Sequence, residues 1–455
     1  GYGMTPMYKS GRWDGYRFFV GATGKFQTGL LPTIYPMIEE HAGDIPIVIE
    51  DKRTNKPIWK PEFVSCLMRN DGTIFNLKPE QIKAVKAIID KSLQLGSVVL
   101  DFNRGIINAA TNAGKTFIMA GVIANLESPK VLILIDRVDI FKDMVGFFKD
   151  FFDITQIGTS QYKTVPKMLG DITIAMAPTL SRMLQKDISL LYPYGQYQVH
   201  IVDEGHRASN DTYKYLFLNS GAACRLIMSG TPLDSDCKCK KTDLIGLTGG
   251  VLTTITNQDL IQAAVSQKPL IQIHNVSVPM ADTATSYATE LQHVWKCPIF
   301  NNTIVSIATS NIVPTLIAVS YIEHGEELYA LLKDKCKVAF IHGTASNRTP
   351  AITAFRQGDI DILISSTILK EGVNMPTIRK SINAGGGKSS KDLKQWLGRS
   401  LRHDGIHDTV EHHDFYMHNR KYAETHSKQR IKVYKAEGFD IEFTYACKAN
   451  GTPLT

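Results

Sequence analysis

The sequence has few of the features that mark a membrane or secreted protein. Hydrophobic residues make up 43% of its 455 residues, yet no uncharged apolar run approaches the length of a membrane-spanning helix. No basic-then-apolar leader opens the sequence, so we expect no secretion signal. The seven cysteines are odd in number and scattered, which favours reduced thiols in a cytoplasm-like compartment. We therefore expect a cytoplasmic protein without a membrane partner.

Metal-binding and repeat patterns are also scarce. Cys237 and Cys239 form the only close cysteine pair, and neither a second pair nor nearby histidines accompany them. This makes a metal site there a weak hypothesis. The sequence shows no internal repeat and no low-complexity tail, and 21% of its residues are charged, as is ordinary for a globular protein. Its length allows two to four domains, each with its own core.

Positive charge is concentrated late in the chain. Residues 379–435 contain thirteen Lys or Arg and six Asp or Glu, so this stretch carries +7 (13 − 6), which equals the net charge of the whole chain. Such a cluster suits a polyanion such as nucleic acid, although a solvated basic surface has the same composition. Its last part, residues 418–435, is either a brace for duplex phosphate or the polar face of a terminal helix.

Buried-strand patterns alternate with helical patterns in two separate series. A helix is predicted at 79–95, and strands are predicted at 105–109, 131–135, 172–175, 199–202 and 226–228, then at 316–319, 337–341, 360–365, 381–384 and 411–417. This alternation predicts an α/β fold in which two parallel sheets are covered by helices. We predict a small N-terminal α+β domain at 1–75, a first lobe at 76–235, an inter-lobe region at 236–311 and a second lobe at 312–455.

A glycine-containing loop follows the first of these strands. Residues 110–116 read Ala-Thr-Asn-Ala-Gly-Lys-Thr, and a helix is predicted from 117 to 126. In this context backbone N–H groups and the helix N-terminus favour phosphate, Lys115 reaches the β and γ oxygens, and Thr116 ligates Mg²⁺. The remaining predicted loop contacts are Thr111, Asn112, Ala113 and Gly114. Ala109 replaces the usual leading glycine, and Asn112 stands where glycine is common.

An acidic pair ends the strand predicted at 199–202. Asp203 and Glu204 would lie at the carboxyl edge of the sheet, where Asp203 can hold Mg²⁺ and Glu204 can orient or deprotonate the attacking water. A surface acidic pair is the alternative. His206 follows directly and can link this site to its neighbours. Ser229 and Thr231 follow another apolar strand, and their hydroxyls could bond to His206.

Arginines that could reach the same triphosphate stand much later in the sequence. Arg399 and Arg402 are three apart on a predicted helix and therefore share a face. Guanidinium groups stabilise the charge that develops on a γ-phosphate, although this pair could instead bind backbone phosphate or carboxylates. Gln395 lies one turn earlier and could face the attacking water. Gln81, well before the loop, is a candidate for reading the adenine edge.

In chain order, these patterns resemble the motif series of superfamily 2 helicases. The resemblance spans about residues 77–435 and rests on Gln81 and on residues 110–116, 203–206, 229–231, 366–376 and 395–402. The Asp-Glu-Gly-His form resembles the DExH branch. The resemblance implies two tandem RecA-like lobes that bind ATP and Mg²⁺, with Gly372 among the nucleotide contacts, and a nucleic-acid strand lying across both lobes.

The start of the chain resembles one particular group of these helicases. Residues 8–15 and 29–32 are similar to the small leading domain of UvsW-type phage helicases. Such a resemblance implies a DNA-stimulated ATPase that unwinds or remodels forks and Holliday junctions in replication, recombination and repair, in the host cytoplasm if phage-encoded. A DExH RNA helicase and the motor subunit of a restriction-type complex are the alternatives, although the sequence lacks a Pro-Asp…Glu-x-Lys nuclease pattern.

The resemblance also implies which residues contact the strand. A translocating motor holds the nucleic-acid backbone, because base-specific contacts would stall it. The implied contacts are Arg137, Thr179 and Arg182 on the first lobe, and His342, Gly343, Ser366 and Thr367 on the second. The residues Asp136-Arg137 depart from the Pro-Thr of many relatives. A monomer is compatible with this role.

Overall fold

The chain folds into two compact units. The computed structural model describes residues 18–158, 169–205, 210–234, 237–278, 286–343, 348–366, 378–403, 405–418 and 420–444. The first unit extends to Ala109 and continues through Gly114–Thr254, and the second contains Ala110–Ala113 and continues from Ile255. The four-part division predicted from sequence stays a prediction. None of the helices in the described ranges combines the length and apolar character that a bilayer crossing requires.

The first unit is built around a seven-stranded sheet. Its strands are β5 (Gly105–Ala109), β6 (Val131–Ile135), β7 (Thr155–Ile157), β8 (Ile172–Met176), β9 (Val199–Asp203), β10 (Cys224–Ser229) and β11 (Val251–Ile255), in the order β11-β5-β10-β9-β6-β8-β7. The neighbours from β5 through to β7 pair in parallel. Every residue of β6 is at most 1% exposed. A strand buried on both faces requires helices above and below the sheet.

The helices of this unit follow the predicted alternation with one exception. They are α1 (Leu31–Ala42), α2 (Pro79–Ile89), α3 (Lys115–Ala124), α4 (Val138–Lys149), α5 (Ala177–Lys186), α6 (Leu191–Gly195), α7 (Asp211–Leu218) and α8 (Lys238–Leu247). The helix predicted at 79–95 ends early, so the prediction was wrong beyond Ile89. The chain there turns into β3 (Ser92–Leu95), which pairs antiparallel with β4 (Val98–Asp101), and the alternation of Leu93 and Leu95 suits a strand. Another antiparallel pair joins β1 (Cys66–Met68) and β2 (Ile74–Asn76).

The second unit has its own seven-stranded parallel sheet. Its strands are β12 (Lys268–Ser277), β13 (Thr315–Ala318), β14 (Val338–Ile341), β15 (Ile362–Ser365), β16 (Lys380–Asn383), β17 (Thr409–His418) and β18 (Asp440–Thr444), in the order β14-β15-β13-β16-β17-β12-β18. Its helices are α9 (Asn257–Gln262), α10 (Tyr287–Trp295), α11 (Pro298–Thr309), α12 (Ile322–Leu332), α13 (Arg348–Gln357), α14 (Ser390–Ser400) and α15 (Lys421–Ala436). The ten-residue strand β12 lies in the predicted inter-lobe region, where the sequence patterns predict no strand, and it pairs with β17 and β18.

Both faces of this second sheet carry a hydrophobic core. On β13, Ile317 packs into one cluster and Leu316 into another, and on β15 Ile364 and Leu363 divide in the same way. Successive side chains of a strand point to opposite faces, so two clusters mean two covered faces. The predicted α/β class with two parallel sheets covered by helices is therefore confirmed.

A buried ion pair lies within the second unit. Arg430 on α15 donates from Nε and Nη2 to the carboxylate of Asp414 on β17, at 2.8 and 2.9 Å. The hydroxyl of Tyr434 also donates to Asp414, at 2.6 Å. Burial alone would raise the pKa of Asp414, but Arg430 and these hydrogen bonds hold that pKa below its usual value. The pair ties the terminal helix to the centre of the sheet.

Removing this carboxylate should strongly destabilise the second unit. Asp414→Asn leaves Arg430 charged and buried without its counterion, which we expect to lower the free energy of unfolding by about 3–5 kcal/mol. Urea unfolding followed by circular dichroism measures this. Because the folded-state pKa is depressed, the contribution is present above about pH 4 and is lost as the pH falls. Glu424→Gln, which breaks the exposed Lys428–Glu424 pair, is the matched control and should change little. Equal stability of the two variants would contradict the expectation.

Candidate nucleotide-binding site

The predicted phosphate loop joins β5 to α3. Helix α3 begins at Lys115, so the strand, loop and helix follow one another in the order that phosphate binding requires. Asn112 and Gly114 have φ values of 75° and 74°, in the left-handed region. Asparagine adopts this conformation more readily than other residues with a Cβ. The replacement of a common glycine by Asn112 is therefore compatible with the backbone of the loop.

Gln81 lies beside this loop. Its side chain is 5% exposed, and its Oε1 accepts a hydrogen bond from the Lys78 N–H at 3.0 Å. A Cβ atom built on Gly114 would collide with the Gln81 amide nitrogen. The positive φ favours glycine at position 114, and a larger residue there would also displace the end of the Gln81 side chain. This position next to the loop is compatible with the adenine-reading role, which stays a prediction.

Lys115 and the acidic pair meet within the first unit. The Lys115 Nζ lies 3.6 Å from Glu204 Oε1. Asp203 is the last residue of β9, and Glu204 follows it with a φ of 50°, which is uncommon for a residue that has a Cβ. Strained backbone of this kind is concentrated at functional sites. The turn after β9 therefore places Glu204 against the lysine of the phosphate loop.

The carboxyl group of Asp203 is suited to a divalent cation. Burial, and then the neighbouring charge of Glu204, raise its pKa to about 7, while Lys115 acts in the opposite direction. Its Oδ1 is buried and has no hydrogen-bond partner in the described part of the chain. A bound cation would stabilise the ionised form and satisfy this oxygen. Asp203 and the Thr116 hydroxyl, on the first turn of α3, therefore fit the Mg²⁺ predicted for them.

The residues next to the acidic pair are tightly packed. A Cβ on Gly205 would collide with the side chain of Ile227, so this position of the Asp-Glu-Gly-His motif has room for glycine alone. Ser229 ends β10 and accepts a hydrogen bond from the Thr231 N–H at 3.2 Å. The Thr231 Oγ1 is buried and unpaired among the residues described. His206 lies outside the described residues, and its link to Ser229 and Thr231 stays a prediction.

In the second unit, the segment Ala110–Ala113 lies against the arginine motif. The Asn112 Nδ2 donates to the Gly398 carbonyl at 2.8 Å, and the Arg402 Nε donates to Asn112 Oδ1 at 3.3 Å. A Cβ on Gly398 would collide with Thr111, which explains a glycine in the last turn of α14. Helix α14 ends at Ser400, so Arg402 lies beyond it and the prediction that Arg399 and Arg402 share one helix face is wrong. Sequence reasoning also missed this pairing of Asn112 with Arg402. No local pattern signals it, because the two residues are 290 positions apart.

Other residues of the arginine motif are partly described. The Gln395 Oε1 is buried and has no donor among the described groups. Burial, and then the charge of Arg356, lower the pKa of Arg402, yet a guanidinium remains charged at neutral pH. The Arg399 side chain, Thr367 and Gly372 lie outside what the structure describes. Their roles stay predictions.

The residues predicted to contact a nucleic-acid strand differ in how far they are buried. Arg137 is the N-cap of α4, and its Nη2 lies 4.0 Å from Asp139 Oδ2. The Arg182 Nε donates to the Pro178 carbonyl. Thr179 is 2% exposed, so its side chain offers little surface to a strand. In the second unit His342 and Gly343 follow β14, and Ser366 follows β15. Each role stays a prediction.

Three cations of the basic stretch 379–435 are buried and bonded within the protein. Lys380 is 1% exposed and donates to the Ile307 and Asn311 carbonyls, where it caps the end of α11. Arg420 is 3% exposed and donates to the Val278 carbonyl, and Arg430 pairs with Asp414. These three cations cannot brace duplex phosphate from the surface. That hypothesis for residues 418–435 is therefore wrong for Arg420 and Arg430, because the folded chain uses them as internal hydrogen-bond donors.

The chain is similar in sequence to known protein families. Residues 74–234 match the family model of the type III restriction enzyme, res subunit, and residues 298–404 match that of the helicase conserved C-terminal domain. The chain is 22% identical over 406 residues to a protein of Sulfolobus islandicus filamentous virus named as helicase 22, a similarity that covers 80% of this chain and 68% of the relative. These matches cover both motif-bearing parts of the chain.

Two solved structures are similar as well. A fragment from Vibrio vulnificus named as an HsdR subunit of a type I restriction enzyme is 17% identical, with 83% of this chain and 70% of that chain covered at a TM-score of 0.62. T4 UvsW is 18% identical, with 98% and 92% covered at a TM-score of 0.42. The first likeness supports the fold of two tandem RecA-like lobes. With the res-subunit match on the first sheet and the helicase C-terminal match on the second, the chain belongs to the superfamily 2 helicases.

Proposed function

We propose that this helicase is an ATP-dependent DNA translocase that remodels forks and Holliday junctions in phage replication, recombination and repair. The observation that carries the ATPase part is the convergence of Lys115, Asp203 and Glu204 at the carboxyl edge of the first sheet. A lysine at a helix N-terminus and two carboxylates are what phosphate binding, Mg²⁺ binding and water activation need.

Each residue of this site has a distinct task. Lys115 and the N–H groups at the start of α3 hold the phosphate oxygens. Asp203 and Thr116 hold Mg²⁺, which neutralises charge on the phosphates when it is bound. Glu204 orients the attacking water and accepts its proton. Thr111, Asn112 and Ala113 complete the loop, and Gln81 contacts the base.

Arginines supply positive charge to the leaving phosphate. We assign this task to Arg402 and Arg399, with Gln395 positioning the water. The hydrogen bond from Arg402 to Asn112 supports the assignment for Arg402, because Asn112 is itself a residue of the phosphate loop. His206, Ser229 and Thr231 link the acidic pair to the neighbouring strand.

We assign DNA as the polymer because of the leading segment. Residues 8–15, outside the described residues, and residues 29–32 are similar to the start of UvsW-type helicases, which act on branched DNA. Backbone contacts from Arg137, Thr179, Arg182, His342, Gly343, Ser366 and Thr367 would let the chain move without reading sequence.

A second candidate function is the motor subunit of a restriction-type complex. The match of residues 74–234 to the res-subunit model and the likeness to the HsdR fragment favour it. Such a motor would need a modification subunit to engage DNA. Activity of the purified chain alone on branched DNA would separate the two functions.

The purified chain is expected to hydrolyse ATP faster with forked DNA and to unwind it. Gel assays with a fork, a 3′-tailed duplex, a 5′-tailed duplex, a Holliday junction and an RNA duplex measure the substrate preference. Lys115→Ala should abolish both activities, because the phosphates lose their cation. Lys130→Ala, which removes a lysine paired with Asp171 on the surface of the same unit, is the control and should be active. Absence of stimulation by forked DNA, or unwinding by Lys115→Ala, would refute the proposal, and preference for RNA would favour an RNA helicase.

A further inference from the structure

Arg402 lies beyond the end of α14, so the helix does not fix the direction of its side chain. The segment before β12 holds its backbone instead. Ser266 and Arg402 form an isolated antiparallel bridge, and the Gln267 N–H donates to the Leu401 carbonyl at 2.8 Å. The position of the Arg402 backbone is therefore set by this segment, whereas the direction of its guanidinium depends on side-chain contacts.

The side-chain amide of Asn112 supplies both a donor and an acceptor to this region. Its Nδ2 donates to the Gly398 carbonyl at 2.8 Å, and its Oδ1 accepts from the Arg402 Nε at 3.3 Å. A carbonyl oxygen can only accept and a guanidinium nitrogen can only donate, so the two partners define which end of the amide is which. A glycine or an alanine at position 112 could make neither bond.

Gly398 belongs to the last turn of α14, where carbonyl groups lack a partner within the helix. The Asn112 amide provides a partner for one of these carbonyls. Close approach makes this contact possible, because a Cβ atom on Gly398 would lie 2.4 Å from the Thr111 Cβ. The amide of Asn112 therefore joins the end of α14 to the guanidinium that follows it.

The backbone at position 112 suits glycine better than asparagine. Its φ is 75°, in the left-handed region, where glycine is unstrained and asparagine is only tolerated. Glycine is also common at this position of the phosphate-loop motif. The asparagine therefore brings backbone strain that glycine would avoid, and what it adds to the protein is the pair of hydrogen bonds to Gly398 and Arg402.

The hydrogen bond to Asn112 uses one of the three nitrogens of the Arg402 guanidinium. Within the described ranges, Asn112 is the hydrogen-bond partner of this group, and no carboxylate pairs with it. Arg402 is partly buried, and both its burial and the neighbouring charge of Arg356 lower its pKa. A partly buried cation beside another cation is stabilised by an anion, and Nη1 and Nη2 are the donors that remain for one.

We propose that Asn112 is a positioning residue for Arg402, because its amide holds the guanidinium by Nε and leaves Nη1 and Nη2 for the γ-phosphate of ATP. The identity of this anion rests on the proposed function, whereas the positioning rests on the two hydrogen bonds. Asn112 belongs to the phosphate loop and Arg402 to the arginine motif, so one side chain joins the two motifs. This role differs from completing the loop around the phosphates, since it acts on the rate of hydrolysis rather than on ATP binding.

Asn112→Gly tests this role, because glycine suits the left-handed backbone and lacks only the amide. With forked DNA present, we expect kcat for ATP hydrolysis to fall about tenfold while the affinity for a fluorescent ATP analogue changes less than about twofold. If Asn112 served only the backbone of the loop, the glycine variant would hydrolyse ATP at the wild-type rate. Asn311→Gly, which changes an exposed asparagine of the second unit, is the control and should leave both quantities unchanged.

A double-mutant cycle shows whether Asn112 acts through Arg402. In the Arg402→Ala background the amide has no guanidinium to hold, so adding Asn112→Gly should lower the single-turnover rate by less than about twofold more. Independent roles would multiply, and the double variant would then be about tenfold slower than Arg402→Ala, which contradicts the proposal. General damage to the fold by Asn112→Gly would lower the rate in both backgrounds, so it cannot produce the expected result.

Failure of this inference differs from failure of the proposed function. A wild-type chain that hydrolyses no ATP, or an Arg402→Ala variant as fast as the wild type, would contradict the proposed function and the inference with it. A slow Arg402→Ala variant beside an Asn112→Gly variant at the wild-type rate would overturn the positioning role alone. Weaker nucleotide binding by Asn112→Gly with an unchanged kcat would also overturn it, because the amide would then contact the nucleotide rather than Arg402.

Discussion

Glu204→Gln is expected to bind ATP with nearly wild-type affinity and to hydrolyse it about 10²–10³-fold more slowly. The carboxamide keeps the size of the side chain but cannot accept a proton from water. Lys115 remains in place to hold the phosphates, and Asp203 remains to hold Mg²⁺. Titration with a fluorescent nucleotide gives the affinity, and steady-state phosphate release in the presence of forked DNA gives the rate.

The Glu204→Gln substitution affects two roles of this carboxylate, namely water activation and its contact with Lys115. The Lys115 Nζ lies 3.6 Å from Glu204 Oε1, so the substitution also removes a partner of Lys115. A loss of nucleotide affinity would mean that Glu204 acts by positioning the lysine. Glu127→Gln, at an exposed position in the same unit, is the control and should hydrolyse ATP normally. Normal turnover by Glu204→Gln would remove this residue from water activation.

Arg402→Ala is expected to lower the rate of ATP hydrolysis by at least about 10²-fold while ATP affinity changes little. A guanidinium that meets the γ-phosphate stabilises charge that develops during phosphoryl transfer, and such groups contribute about 10³–10⁵ in rate. Arg402→Lys should restore little activity, because an ammonium lacks the planar fork of donors. Nucleotide titration and stopped-flow hydrolysis measure the two quantities separately.

Arg356, a second cation near Arg402, provides a matched control variant. Arg356 acts on the pKa of Arg402, so the two cations are near each other in the second unit. Arg356→Ala removes the same charge from the same region and should lower the rate much less. Equal losses in the two variants would show that net positive charge matters rather than the position of Arg402. An unchanged rate in Arg402→Ala would exclude it from the chemistry.

Local sequence patterns were sufficient to locate the candidate catalytic groups of the first unit. The phosphate loop and the Asp203-Glu204 pair each follow an apolar run that forms a strand, and parallel strands end at a common edge of the sheet. Strand periodicity and the residues at the strand end are properties of a few neighbouring residues. For that reason their order along the chain predicts that they meet, and the Lys115 Nζ lies 3.6 Å from Glu204 Oε1.

One prediction from charge composition was wrong in part. Residues 418–435 are rich in cations, yet Arg420 and Arg430 are buried and hydrogen-bonded to groups from distant segments. Charge counts cannot distinguish a surface arginine from one that neutralises a buried Asp414, because the partner is chosen by packing. Strand β12 was not predicted from the sequence, yet it lies between β17 and β18 in the second sheet and pairs with both.

The sequence by itself determined the α/β class, the two series of strands, and the residue types that we propose bind phosphate and Mg²⁺. These follow from periodicities of two and 3.6 residues and from side-chain chemistry at strand ends. The tertiary structure alone decided that Gly114 packs on Gln81, that Asn112 bonds to Arg402, and that the loop at 385–388 lines a cavity with Trp396. Such contacts join residues far apart in the chain, and only the packing of complete sheets and helices brings them within hydrogen-bonding distance.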